Sequence, residues 1–157
     1  MLHNGLALNP SKSEVIVFGT AQSLALSDIK SVEIAGIDIA VSEKIKSLGV
    51  TLDKRLTFDT QVGNICKAVH YHARSLRHIR NSLPNSLAQT VASSIVSRLD
   101  YCNSLLTATS QKNIARLQRA QNTVARAVTR TAKFDHISPV LKKLHWLPVE
   151  SRINFKI

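Results

Sequence analysis

Residues 110–132 read SQKNIARLQRAQNTVARAVTRTA, twenty-three positions without glycine, proline or an acidic residue. Counted at 100° per residue from Lys112, Ile114, Leu117, Val124 and Val128 fall between about 120° and 200°. Arg116, Arg119, Arg126 and Arg130 lie within about 40° of Lys112, on the opposite side. The spacing predicts an amphipathic helix from Ser110 to about Ala132, with one face for a core and one basic ridge.

Upstream of this helix the same period continues. A helix expected over roughly residues 59–82 places Ile65, Val69, Leu76, Ile79 and, just beyond it, Leu83 on one side, and Lys67, Arg74 and Arg77 within about 80° of one another on the other. Arg80 drifts toward the apolar side. A second helix is expected from Ser86, where Ser86 and Gln89 have the spacing of a capping box, to about Leu106. Its Leu87, Val91, Ala92, Ile95, Leu99, Cys102 and Leu105 cover a wide arc, which predicts the most buried helix of the three. Arg98, at the edge of that arc, then needs a hydrogen-bonding partner. Pro84 and Pro139 are the main breaks, and shorter helices are expected at 138–144 and after Pro148.

Before residue 59 the period changes to that of strands. EVIVFG (14–19) is a β-branched run, and SVEIAGIDIAV (31–41) alternates around Ala35-Gly36 as a hairpin would. KIKSLGVTLD (44–53) reads as one further strand with Gly49 inside it, a bulge or a point of close backbone approach. The expected fold class is therefore α+β: a short antiparallel β segment over residues 1–58, then a helical, basic bundle over residues 59–157.

The charge divides at the same place. The net charge is +11 over 157 residues. Residues 1–58 are neutral, with six Lys or Arg against Glu14, Asp28, Glu33, Asp38, Glu43 and Asp53, so the whole excess lies in residues 59–157. A basic ridge without intervening carboxylates suits a polyanion, because each neutralised phosphate releases counterions. Lys67, Arg74, Arg77, Lys112, Arg116, Arg119, Arg126 and Arg130 are the candidate nucleic-acid contacts. Aromatic residues are only 4% of the chain, which predicts tracking of the backbone with little stacking on bases.

Other chemistries find little support. No apolar run nears the ~20 residues of a membrane span, and MLHNGLALNPSK lacks the regions of a signal peptide, so an intracellular protein, nuclear or cytoplasmic, is expected. Cys66 and Cys102 are read as free thiols. Cys66, His70 and His72 form C-x₃-H-x-H without the second cluster that zinc sites show, and His136 and His145 have no spaced partner, so no metal site is expected. Paired carboxylates for two-metal chemistry, a G-x-S-x-G nucleophile and a glycine-rich phosphate loop are all missing.

Five segments occur in a telling order: GLALNPSKSEVIVFG, KSLGVTLDKRLTF, SRLDYCNSLL, LQRAQNTVARAVTRT and LKKLHWLPVESRINFKI. In that order they resemble the C-terminal part of reverse transcriptases of non-LTR (LINE-type) retrotransposons, over essentially the whole chain. The resemblance implies the end of a polymerase palm in residues 1–58 and a thumb in residues 59–157. It implies that Lys12, where Lys12-Ser13-Glu14 stands for the family's usual K-T-E, is an accessory active-site lysine that protonates pyrophosphate or steadies the nucleotide. It likewise implies that Leu48, Gly49 and Val50 form the primer grip, and that the partner is the backbone of an RNA/DNA template–primer duplex. The family's aspartates are expected upstream of Met1. The chain is thus expected to be a fragment, a decayed insertion or a product begun at an internal methionine, inactive alone and binding no cofactor, magnesium belonging to the parent enzyme. Strands deprived of palm neighbours would leave an edge for self-association. The alternatives are a stand-alone basic nucleic-acid-binding module, or a helical interaction or pseudogene product without function.

Overall fold

Alternation in residues 31–53 produces two antiparallel hairpins, each a two-stranded sheet of its own. In the first, β1 (Ser31–Ile34) pairs with β2 (Ile37–Ala40), and the turn falls at Ala35-Gly36 with φ of 53° and 79°. Two successive positive φ values are those of a type I′ turn, whose twist matches that of the strands. The second hairpin corrects the reading of residues 44–53 as one strand. Here β3 (Lys44–Ser47) pairs with β4 (Val50–Asp53), and Leu48-Gly49, at φ 46° and 83°, form a second turn of the same kind. Gly49 is thus a turn residue that supplies a left-handed conformation, and no bulge is present there.

These coordinates come from a computed structural model that describes residues 9–156. The chain divides into two units, Met1–Phe58 and Asp59–Ile157, and the architecture is α+β. In the first unit Asn9 caps a short 3₁₀ turn, Pro10–Lys12, by accepting from the Ser11 amide at 3.1 Å. The expected strand at 14–19 does not form. Val15 makes a single parallel bridge to Val41, while the Gly19 amide donates to Lys54 O at 3.0 Å, so different partners hold the two ends and no ladder propagates. A short helix not anticipated from the pattern, α1 (Ala21–Ala25), follows Thr20, whose hydroxyl accepts from the Ser23 amide. The second hairpin is closed by Asp53, whose carboxylate accepts from the amides of Arg55, Thr57 and Phe58 at 3.2, 3.1 and 2.9 Å and from the Thr57 hydroxyl at 3.1 Å.

The second unit is helical. It comprises α2 (Asp59–Ile79), α3 (Asn85–Val96), α4 (Gln111–Thr129), α5 (Ile137–Lys143) and α6 (Val149–Asn154). Helices α2 and α4 run parallel: Asn113 Nδ2 donates to Asp59 Oδ1 at 2.8 Å where both begin, and Arg80 Nε donates to Val128 O at 2.6 Å where both end. Between these points Val62, Val69, Ala73 and Leu76 meet Leu117, Ala120, Val124 and Val128 in a dry seam, each side chain fully buried or nearly so. The alanines let the two backbones approach closely. Each fully buried Val or Leu contributes about 1.5–3 kcal/mol.

Helix α4, not the second helix, is the most enclosed. It contacts α2, α3, α5 and α6, and its buried set includes the polar Asn113 and Gln121. In α3 only Ala88, Ala92, Ile95 and Val96 are buried, and Leu87 and Arg98 are exposed. Arg98 therefore needs no buried partner. The expected capping box is also replaced: Pro84 occupies the N-cap without a side-chain bond, and the helix begins at Asn85.

The second helix ends ten residues earlier than its apolar pattern suggests. After Val96 come 3₁₀ turns at Ser97–Leu99 and Asn103–Leu106, with Cys102 at φ 52° between them. This turning brings Asp100 and Asn103 to α6. Arg152 Nε donates to Asp100 Oδ1 at 2.8 Å and Nη2 to Oδ2, while Asn103 Nδ2 donates to Arg152 O at 3.4 Å. On the other side Gln121 Nε2 donates to Leu147 O, and the Val149 amide donates to Gln118 Oε1, both at 2.8 Å. Two glutamines of α4 thus fix the path of the His-Trp-Leu-Pro segment into α6. Helix α5 ends in a Schellman motif: the His145 amide donates to Lys142 O and the Trp146 amide to Leu141 O, with His145 at φ 56°.

Candidate nucleic-acid interface

Because α2 and α4 are parallel, their C-terminal ends lie together, and the carbonyl ends of helices attract cations. A groove of about 1000 Å³ lies there, lined by Arg77 of α2, Arg80 just beyond it, Arg119 and Arg126 of α4, and Arg130 and Lys133 after it. Asn81, Asn122, Thr123, Ala127 and Thr131 complete the wall. Six cations and no carboxylate line this groove among the described residues.

The six do not have the same duty. Arg80 is buried at 6% exposure and uses its whole guanidinium: Nε to Val128 O, Nη1 to Leu83 O at 3.1 Å, and Nη2 to Asn85 Oδ1 at 2.5 Å. Arg126 holds the following loop, donating to Ala132 O and, at 2.8 Å, to Asp135 O. Arg130 caps α4 in a left-handed conformation, φ 59°, and donates to Arg80 O at 3.3 Å. The side chains of Arg77 and Arg119 are exposed and make no hydrogen bond or ion pair among the described residues. With Lys133, which makes no ion pair among the described residues, they are the cations of the groove free to meet a ligand.

The other basic positions lie elsewhere. Lys67, Arg74 and Lys112 are exposed outside the groove. Arg116 is turned to packing: Nη1 donates to Asn113 Oδ1 at 3.1 Å and to Asp59 O at 3.4 Å, and a Cβ added to Gly63 would lie 3.3 Å from Nη2. Of the eight residues expected from periodicity, the groove gathers Arg77, Arg119, Arg126 and Arg130. It adds Arg80 and Lys133, for which the signals were the drift of Arg80 off the basic stripe and the position of Lys133 just past the helix stop.

Family models, curated proteins and solved structures give no match to this chain.

Cys66 lies under the α2–α4 seam. Burial pushes its thiol pKa above the usual 9.0, and the nearby Arg116 and Arg119 offset part of that rise. His70 is exposed and His72 half-buried, its ring edge-on to Tyr71 at 5.3 Å. No three His, Cys, Asp or Glu side chains are placed to hold a metal among the described residues. Nor is any helix among them long and apolar enough to cross a membrane.

In the first unit Lys12 ends the 3₁₀ turn and is exposed. Leu48 and Gly49 form a hairpin tip, with the Leu48 side chain 88% exposed, and Val50 is buried. The β1–β2 hairpin puts Val32 opposite Ile39 and Ile34 opposite Ile37 on one face, and Ile37 remains 53% exposed.

Proposed function

We propose that this chain is the end of the palm and the thumb of an RNA-directed DNA polymerase of the non-LTR retrotransposon type. In this reading the helical unit holds the phosphate backbone of a template–primer duplex in the groove at the C-terminal ends of α2 and α4. The observation that carries it is the convergence of six cations without a carboxylate, two of them, Arg77 and Arg119, with side chains that make no hydrogen bond or ion pair among the described residues. The ordered set of five family-like segments supports the same reading. Lys12 and the Leu48-Gly49-Val50 tip would serve the nucleotide and the primer end, as an accessory lysine and a primer grip. The chain alone binds a duplex and does not extend it, because the sequence offers no carboxylate pair for two-metal chemistry.

Fluorescence anisotropy with an RNA–DNA hybrid tests this. With about three phosphates neutralised by Arg77, Arg119 and Lys133, the log–log slope of affinity against salt is about −3. Replacing Arg77 and Arg119 together by Gln lowers affinity and flattens the slope by about two. Unchanged affinity and slope in that variant would sink the groove as the site, and template-dependent primer extension in Mg²⁺ would overturn the inactivity.

One observation favours a second reading. The groove is built wholly from residues of the second unit, as a stand-alone binding module would require. The two readings part at the primer end: Lys12→Gln and Leu48→Ala weaken binding to a recessed 3′ end only if the first unit serves as a primer grip.

A further inference from the structure

Beyond the groove, the loop after α4 presents one side chain that the phosphate reading leaves unused. Phe134 is 92% exposed, at the tip of a tight turn. The turn is firmly held. Asp135 Oδ2 accepts from the Ala132 amide at 3.1 Å, the Asp135 amide donates to Ala132 O at 3.3 Å, and Arg126 donates to the carbonyl oxygens of both residues. Lys133 joins this tip to the groove, since it lines the groove and its Nζ lies 5.8 Å from the centroid of the Phe134 ring.

We infer that Phe134 is a stacking platform for an unpaired nucleobase next to the backbone that the groove holds. The inference rests on the groove as a phosphate site. Bases inside a duplex are already stacked on both faces, so an exposed ring takes a base that is unpaired, as in a single-stranded overhang. Anchoring the turn through Arg126 lowers the entropy lost on ordering the ring against a base. A ring beside a lysine also suits a lipid surface, but the neighbours at this tip are Ala132, Lys133, Asp135 and His136, all exposed. One large apolar side chain with no second beside it matches the area of a single base and is too small an apolar surface for a bilayer. The small aromatic content of the chain therefore does not exclude stacking, since Phe134 is the aromatic side chain placed beside the groove.

The test uses the full chain and two RNA–DNA hybrids, one blunt and one with a four-nucleotide DNA overhang carrying 2-aminopurine. The wild-type chain binds the overhang hybrid about fivefold or more tighter than the blunt one and quenches the 2-aminopurine, as stacking on an aromatic ring requires. Phe134→Ala removes the preference and the quenching while leaving blunt-hybrid affinity and the unfolding midpoint unchanged, and Phe134→Trp restores both. An overhang preference that survives in Phe134→Ala, or none in the wild type, overturns the stacking role while groove binding stands. Blunt-hybrid affinity that ignores replacement of Arg77 and Arg119 by Gln overturns the groove, and this inference with it. Tight binding to phosphatidylserine vesicles that needs Phe134 and that the hybrid does not displace overturns it in favour of a lipid surface.

Discussion

Arg80 Nε donates to the main-chain oxygen of Val128 at 2.6 Å, locking the end of α2 to the end of α4 from inside the core. The last carbonyls of a helix have no intrahelical donor, and a buried one left unpaired costs about 1–3 kcal/mol. A single guanidinium answers this for Val128, and it also takes the Leu83 carbonyl of the linker and fixes Asn85 at the start of α3. Three helix ends therefore meet at one side chain.

Arg80→Ala accordingly lowers the stability of the helical unit by about 2–4 kcal/mol, through the unpaired carbonyls and the space left behind. Arg80→Lys does not rescue it, because an ammonium cannot reproduce the planar fork of donors. Arg98→Ala, at an exposed position, stays within about 0.5 kcal/mol of the wild type. Urea denaturation of the three variants checks this, and an Arg80→Ala midpoint equal to that of the wild type would refute it.

What is legible in the sequence, and what is not, follows from which residues carry each signal. The helices with a long 3.6-residue period, α2 and α4, were legible to within a few residues because their apolar positions serve one seam. The hairpin at Ala35-Gly36 was legible because the alternation breaks at a glycine. Its twin at Leu48-Gly49 was not, since an apolar leucine at the first turn position extends the apparent strand. The parity change from Ile45 to Val50 and Leu52 was the overlooked mark of a turn. The early end of α3 was hidden for a different reason: Asp100 and Asn103 are drawn out of a helix by Arg152, 52 and 49 residues away. A basic stripe was visible, but its division into packing and free arginines depended on which carbonyls lay nearby. No local pattern carries that.

Asp53 makes the hairpin unit sensitive to acid. Burial acts against its ionised form, but donors from Thr57, Phe58 and Arg55 outweigh it and hold its pKa below the usual 3.8. A carboxyl with a depressed folded-state pKa stabilises fully above the unfolded value, and this is lost as pH falls through the folded one. The amide resonances of Thr57 and Phe58 therefore titrate with a midpoint below 3.8, and Asp53→Asn abolishes that titration while costing about 1–2 kcal/mol at pH 7. A midpoint at or above 3.8 would contradict the bonding seen here.

Among the non-glycine residues held in left-handed backbone at a steric cost are His145 at the end of α5 and Leu48 in the second hairpin, at φ 56° and 46°. His145→Gly and Leu48→Asn each raise stability by about 0.5–1 kcal/mol, glycine being the common residue of a Schellman motif and Asn-Gly the favoured type I′ pair. Gly36→Ala has the opposite sign. A Cβ there meets no atom within 4 Å, yet φ is +79°, so the variant loses about 1 kcal/mol to backbone strain alone. Thermal unfolding of the three variants should separate the signs.

Arg119 and Arg126 line one groove from one helix and should nevertheless respond differently to the same substitution. Arg126 holds the loop through Ala132 and Asp135, whereas the Arg119 side chain makes no hydrogen bond or ion pair among the described residues. Arg126→Gln therefore lowers stability by about 1–2 kcal/mol and weakens hybrid binding as the loop loosens. Arg119→Gln leaves stability within about 0.5 kcal/mol, and the log–log salt slope of hybrid binding becomes shallower by about one. Urea denaturation and salt titration on the same preparations give both readouts. Equal unfolding midpoints for the two variants would show that the loop does not depend on Arg126, and the distinction between packing and ligand-facing arginines would fail.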